Sequence, residues 1–207
     1  MKYDLLMAGI GGQGIITLSE LVATAAVRKG IKVTATQGKG LAQRWGSTKA
    51  HVRLGDVYSP IIPKYSADAI LSLEIAETLR HLDYINSKTV LVVDTKRIIT
   101  KDDRLEKEGM LSQGKVKEIL APIDHVFFVD TQSQNKEGEF STNVFMLGVL
   151  LGLDGRLTQF VTVEEMKDTM KLILKKHEQE NVRILDQGLS LGRELQAADR
   201  GSLPKHS

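Results

Sequence analysis

A chain of 207 residues with 42% apolar and 26% charged positions has room for one substantial hydrophobic core and too little for two comfortable ones. Its 28 lysines and arginines against 26 aspartates and glutamates leave a formal charge of +2, which removes any overall field that would draw in nucleic acid or an anionic membrane. The absence of cysteine excludes disulfides, a thiolate nucleophile, cysteine-ligated zinc and a cysteine-held iron–sulfur cluster on this chain.

In chain order, Met1-Lys2-Tyr3-Asp4 leads directly into an apolar segment without the features of an export signal. No later apolar run approaches the roughly 20 residues that span a bilayer, so a soluble, cytoplasmic protein is expected. Tyr3 to Ala8 predicts a first strand that stops at glycines. Ile15, Leu18, Leu21, Val22, Ala25 and Ala26 recur at helical spacing over more than one face, which predicts a well-buried helix ending at Arg28-Lys29-Gly30. Lys32 to Thr36 predicts a second strand. Lys49 to Gly55 alternates, with Ala50, Val52 and Leu54 on one face and Lys49, His51 and Arg53 on the other, as in a half-exposed strand near an edge. Ala69 to Leu73, Thr89 to Asp94 and His125 to Asp130 predict strands of the buried type.

Helices are expected over Glu77 to Ile85, Val116 to Leu120 and Thr142 to Leu151, the last with Val144, Leu147, Leu150 and Leu151 on one side. Thr162 and Glu165 form a capping box that starts a helix from Val163 to Lys175. Val182, Leu185, Leu189 and Leu195 mark a last helix, followed by a polar, loose tail. The alternation of strands and helices favours a layered α/β domain.

Gly9-Ile10-Gly11-Gly12-Gln13-Gly14 fits G-x-G-x-x-G between a strand and a helix, where glycines permit a tight turn and helix amides offer an anion site. A dinucleotide fingerprint also requires an acidic residue roughly 20 positions on, and Val33-Thr34-Ala35-Thr36-Gln37 supplies none. Three readings stay open: a phosphate-bearing ligand or partner surface, a nicotinamide or flavin site, and glycines that only allow close packing. The polar segment Gln37 to Ser47 follows a strand and so falls at the sheet edge where ligands bind. Its Gln43 and Arg44 offer groups suited to carboxylate or phosphate, and Trp45 suits a partner anchor; a solvated surface loop is the plainer alternative.

Together, the glycine loop, Gly40-Leu41-Ala42-Gln43-Arg44-x-Gly46-Ser47, His51-Val52-Arg53, Tyr58-Ser59-Pro60-x-Ile62-Pro63 and Asn143-Val144-x-Met146-Leu147-Gly148 resemble the gamma-type domain of 2-oxoacid:ferredoxin oxidoreductases, in particular the small beta subunit of the indolepyruvate enzymes. The resemblance implies an α/β/α three-layer sandwich with a mostly parallel or mixed sheet, a single domain over 1–195 and a tail over 196–207. It also implies a small subunit that holds no cofactor by itself and carries no catalytic residue. Thiamine diphosphate and iron–sulfur clusters would sit on a larger companion subunit, electrons would pass to ferredoxin, and an arylpyruvate-like acid would leave as its acyl-CoA. Gly9, Gly11, Gly12, Gln13, Gly14, Gln43 and Arg44 would face the shared site and touch CoA phosphates or the substrate carboxylate. When isolated, such a subunit could pair as a homodimer. Where many members carry Ser-Glu-Val-His-Gly, this chain reads Ala35-Thr36-Gln37-Gly38-Lys39-Gly40, and Trp45 replaces a glycine, so other 2-oxoacids stay admissible. The alternative from another class is a free-standing nucleotide-binding or regulatory protein on a doubly wound fold.

Other signals carry less. Gly188-Leu189-Ser190-Leu191-Gly192 matches the hydrolase elbow G-x-S-x-G but lies in a helical pattern, and glycines at a helix crossing explain it better. His51 reads as a solvated or partner-facing side chain, Asp94 and Asp130 as loop caps, and Lys171, Lys175 and Lys176 as a solvated helix face. No histidine pair or carboxylate grouping has metal spacing.

Overall fold

The first strand, β1, runs over Lys2–Ile10 and is buried from Tyr3 onward because it lies in the middle of the sheet with both faces covered. The computed structural model describes residues 1–39, 46–98, 112–134 and 141–202. Helix α1 (Ile15–Arg28) follows β1 and ends where Gly30 takes a left-handed φ of 80°. Strands β2 (Val33–Lys39) and β3 (Ser47–Gly55) pair antiparallel, and β3 pairs antiparallel with β1. Strands β4 (Ala69–Ser72), β5 (Val90–Asp94) and β6 (Val126–Val129) then add in parallel on the other side of β1. The order β2-β3-β1-β4-β5-β6 makes a mixed sheet.

The strict two-residue period of the strands divides the apolar side chains between two cores. Tyr3, Leu5, Met7, Ala50, Val52, Leu54, Leu71 and Val92 face one side, where α1, α5 (Thr142–Leu153), α7 (Val163–Ile173) and α8 (Glu178–Ser202) pack. Leu6, Ile70, Leu91 and Val93 face the other, under α2 (Ile75–Leu79), a 3-10 turn at Leu82–Tyr84 and α3 (Gln113–Leu120). Two short helices, α4 (Thr131–Gln134) and α6 (Leu157–Phe160), are the remaining helices among the described residues. The result is the expected three-layer α/β/α arrangement.

Most predicted elements stand within a few residues of their expected limits, and the capping box of α7 forms both bonds, Glu165 N–H to Thr162 Oγ1 at 3.2 Å and Thr162 N–H to Glu165 Oε2 at 2.9 Å. Four differences are informative. The segment expected as one helix from Glu77 to Ile85 starts earlier, because Glu74 caps it by accepting from Glu77 N–H, and breaks after Leu79. Helix α5 shows no single apolar side; every residue from Val144 to Leu153 is buried, since it is wedged between the sheet and α8. Helix α8 continues to Ser202, into the segment expected as a loose tail, and Gln196 Nε2 donates to Leu153 O at 2.6 Å.

The fourth difference concerns β3. Its alternation holds, but His51 is only 3% and Arg53 6% exposed, so the polar face is not half-exposed at these two positions and His51 is not solvated. The loop of residues 56–66 folds over that face of the sheet and, together with Asp4 of β1, supplies the polar partners. Arg53 Nε donates to Asp4 Oδ1 at 2.6 Å, and its Nη1 donates to the carbonyls of Ser59 (2.9 Å) and Ile61 (3.2 Å). His51 Nδ1 accepts from Ile62 N–H at 3.3 Å.

Candidate functional site

At the carboxyl end of β1 the chain turns through the glycine loop, and Gln13 determines its shape. Gln13 Oε1 accepts from Ile10 N–H at 2.7 Å, and its Nε2 donates to Leu73 O at 2.6 Å, so one amide staples the turn after β1 to the turn after β4. Gly11 N–H donates to Gly46 O at 2.8 Å and ties the same turn to the start of β3. A Cβ on Gly9 would lie 2.9 Å from Gln13 Oε1, while Gly12 and Gly14 hold left-handed φ values of 101° and 82°. Gly14 opens α1 without a side-chain cap, and a Cβ there would lie 2.2 Å from Asn143 Nδ2. The glycines therefore both shape the turn and admit the start of α5.

Neighbouring parallel strands β1 and β4 send α1 and α2 to opposite faces of the sheet, and the crevice between their carboxyl ends is where open α/β sheets take ligands. It holds a cavity of about 300 Å³ lined by Gly12, Gln13, Gly14, Leu73, Lys96, Thr142 and Asn143. Lys96 brings a cation, Asn143 and Thr142 bring polar side chains, and the first turns of α1 and α5 bring backbone amides. Beyond Asn143 a second cavity of about 510 Å³ is bordered by Thr17, Ser141, Asn181, Lys175 and Lys176.

Carboxylates at the same edge hold the turns that carry these groups. Glu74, fully buried, accepts from Glu77 N–H (2.8 Å), Ile98 N–H (3.0 Å) and Arg97 Nη1 (2.9 Å), joining the turn after β4 to the turn after β5. Glu77 accepts from Ser47 Oγ at 2.6 Å and Arg80 Nε at 3.1 Å; burial pushes its carboxyl up, against the pull of those partners. Asp94 accepts from Lys96 N–H at 3.0 Å and Thr131 Oγ1 at 2.7 Å, and burial likewise pushes it up. Asp94 thus sets the turn that presents Lys96, and Asp130 caps α4 through the amides of Gln132 and Ser133.

Of the residues singled out in the sequence, Gly12, Gln13 and Gly14 line this cavity, with the Gln13 amide spent on the loop itself, while Gly9 and Gly11 belong to the same turn without lining it. Gln43, Arg44 and Trp45 lie outside the described residues. Lys171 pairs with Asp168 at 3.0 Å, whereas Lys175 and Lys176 border the larger cavity. Gly188 and Gly192 sit within α8 at its crossing with α5, as a helix-packing pair and not a nucleophile elbow. Lys96, Glu74 and Glu77 escaped notice in the sequence; a lysine two residues beyond the aspartate that closes an apolar strand was the available signal for Lys96. Among the described residues no group of three potential metal ligands occurs, and no helix is long and apolar enough to cross a membrane.

A family model described as pyruvate ferredoxin/flavodoxin oxidoreductase matches residues 4–191. The indolepyruvate oxidoreductase subunit IorB of Archaeoglobus fulgidus is 34% identical over 178 residues, covering 83% of this chain and 87% of that one. Among solved structures, the pyruvate oxidoreductase subunit PORC of Thermotoga maritima superposes with a TM-score of 0.63 at 19% identity, over 91% of this chain and 96% of that one. The 2-oxoglutarate:ferredoxin oxidoreductase of Magnetococcus marinus, solved with 2-oxoglutarate, coenzyme A and succinyl-CoA bound, gives 0.66 at 19% identity, covering 95% of this chain but 31% of that chain. The last two show the shared fold.

Proposed function

The chain belongs to the pyruvate ferredoxin/flavodoxin oxidoreductase family and is a small subunit of an oxoacid:ferredoxin oxidoreductase, and from that premise we propose that its glycine-loop crevice helps bind CoA in an enzyme of the indolepyruvate type. The reading of a free-standing nucleotide binder is not favoured. The observation that carries the proposal is the crevice itself: a glycine turn fixed by Gln13, with Lys96 and Asn143 converging on one cavity between β1 and β4. The name of the Archaeoglobus relative supports indolepyruvate, an arylpyruvate, as the acid, and the bound ligands of the Magnetococcus enzyme support CoA as co-substrate.

A chain without cysteine cannot ligate iron–sulfur clusters, so those belong to a larger partner, as does thiamine diphosphate in this reading. When bound there, the thiamine ring supplies carbanion chemistry and the clusters store electrons on their way to ferredoxin. This subunit binds and orients. Lys96 and the loop amides neutralise a phosphate, Asn143 and Thr142 fix its position, and the close approach of α5 to Gly14 narrows the crevice around it. Gln43 and Arg44 stand in this proposal on the sequence alone.

The test is Lys96→Ala in the assembled complex. A charge-assisted contact to phosphate is worth about 1.5–3 kcal/mol, so KM for CoA should rise about 10- to 100-fold while KM for the 2-oxoacid holds. A rise confined to the 2-oxoacid would assign the crevice to the substrate carboxylate. No change in either constant would remove the ligand role.

A further inference from the structure

The loop of residues 56–66 does two opposed things. Inward, its backbone is tied down at several points along its length. Arg53 Nη1 donates to the carbonyls of Ser59 and Ile61, His51 accepts from Ile62 N–H, Tyr65 N–H donates to Asp83 O at 2.9 Å and Ala67 N–H to Tyr84 O at 3.1 Å. Ile62 and Ala67 are buried in the second core. Outward, it shows Tyr58 at 93%, Ile61 at 58% and Tyr65 at 68% exposure, and Tyr65 holds a left-handed φ of 58° that bulky residues avoid. A backbone this firmly anchored, at the cost of a strained tyrosine, has no folding reason to present two tyrosines and an isoleucine to water.

We propose that the outward face of this loop, Tyr58, Ile61 and Tyr65, is the seat of the larger companion subunit. Tyrosine is among the residues that dominate binding hot spots, and a loop fixed before binding loses little further freedom on docking. Ion pairs stand at the rim, Lys32 with Asp56 at 3.0 Å and Lys64 with Asp83 at 3.5 Å, giving the polar border of an interface around an apolar centre. Area decides the occupant. Three such side chains offer about 400 Å², so a second copy meeting the same patch would bury about 800 Å² in total, short of the roughly 1,200 Å² a stable interface needs. A larger chain that reaches past the rim can make up the difference. The Magnetococcus structure, in which a chain of this fold forms under a third of a longer polypeptide, is consistent with such an arrangement.

The experiment uses the full chain with its companion subunit and measures their dissociation constant for Tyr58→Ala combined with Tyr65→Asn, asparagine being at ease in the left-handed region. Loss of two hot-spot side chains should weaken association about 100-fold. Ile61→Asp, which sets a charge in the middle of the face, should weaken it by a similar factor. Leu172→Ala, at another exposed apolar residue (52%), should leave it unchanged. Circular dichroism of each free subunit confirms that the fold is intact. A constant within about twofold of the parent for both loop variants overturns the proposal, as does loss of self-association alone with companion binding retained. Lys96→Ala bears on the crevice and leaves association intact, so failure of the CoA reading and failure of this one are distinct.

Discussion

The crossing of α5 and α8 should not accept a single added methyl group at Gly188. A Cβ there would lie 2.1 Å from Phe145 O and 3.0 Å from Val149 N, against the roughly 3.5 Å of an ordinary non-bonded contact. The obstructing atoms are backbone within a helix buried along its length, so no side chain can swing away. The seam has further points of the same kind: a Cβ on Gly192 would be 2.2 Å from Val149 O, on Gly148 2.3 Å from Leu185 O and on Gly152 2.4 Å from Leu189 O. One helix would have to move bodily by about 1 Å, at a cost of about 3 kcal/mol for overpacking, less about 1 kcal/mol gained because alanine is the better helix former. The net loss of about 2 kcal/mol corresponds to a Tm lower by about 4–8 °C in a chain of this length. Gly114→Ala is the contrast, near the start of α3 with nothing closer than Ser112 Oγ at 4.0 Å; it should raise stability by about 0.4–1 kcal/mol. Thermal unfolding by circular dichroism reads both. A Gly188→Ala protein as stable as the parent would refute the close crossing.

Burial, with Lys49 adding to it, holds His51 and His81 down at about 4, below the ordinary 6.5. As pH falls below 6.5 the unfolded chain takes up protons that the folded one refuses, so stability is lost between pH 6.5 and 4, about 3 kcal/mol of it through His81. Glu77 and Asp94, pushed up by burial, work in the opposite direction, so His81→Gln should flatten the fall in denaturant midpoint over that window; an unaltered slope would dismiss the assignment. Arg53→Met leaves the fully buried Asp4 with Lys2 as its one ionic partner among the described residues and frees two loop carbonyls, and should cost about 3 kcal/mol in urea unfolding. A midpoint within error of the parent would mean that the pair contributes nothing net.

The alternation of β3 was legible because side-chain direction in a strand is local. What covers its polar face was not, because the covering loop is fixed by bonds from Arg53 to the carbonyls of Ser59 and Ile61 and from Ile62 N–H to His51, which no short-range period encodes. The same distinction separates Gly9 to Gly14 from Lys96. A glycine turn between strand and helix shows in consecutive residues, whereas Lys96 reaches that turn only because β4 lies next to β1 and β5 next to β4 in the sheet order. The end of α8 misled for a different reason: Ala197 and Ala198 are exposed and Asp199 half-exposed although the backbone there is helical, and polarity alone does not distinguish an exposed helix end from a loose tail.

The antiparallel course of β3 separates the two surfaces assigned here. Its Ser47 end lies beside the glycine turn, paired with Ile10, while its Gly55 end, paired with Lys2, leads into the loop of residues 56–66. The loop comes back along β3 to bond Arg53 through Ser59, so six residues of strand at about 3.3 Å each put ~20 Å between Tyr58 and the glycine turn. Sites this far apart without a shared partner should have additive energetics, within about 0.5 kcal/mol. In a cycle of Lys96→Ala and Tyr58→Ala, therefore, the first should alter KM for CoA by the same factor whether or not the second has weakened assembly, provided that the subunits are held at saturating concentration. Coupling well above that limit would mean that docking at the loop reshapes the crevice. One polar route for it is the row Ser47, Lys49, His51 and Arg53 on a single face of β3, half-buried at its first two members and buried at its last two.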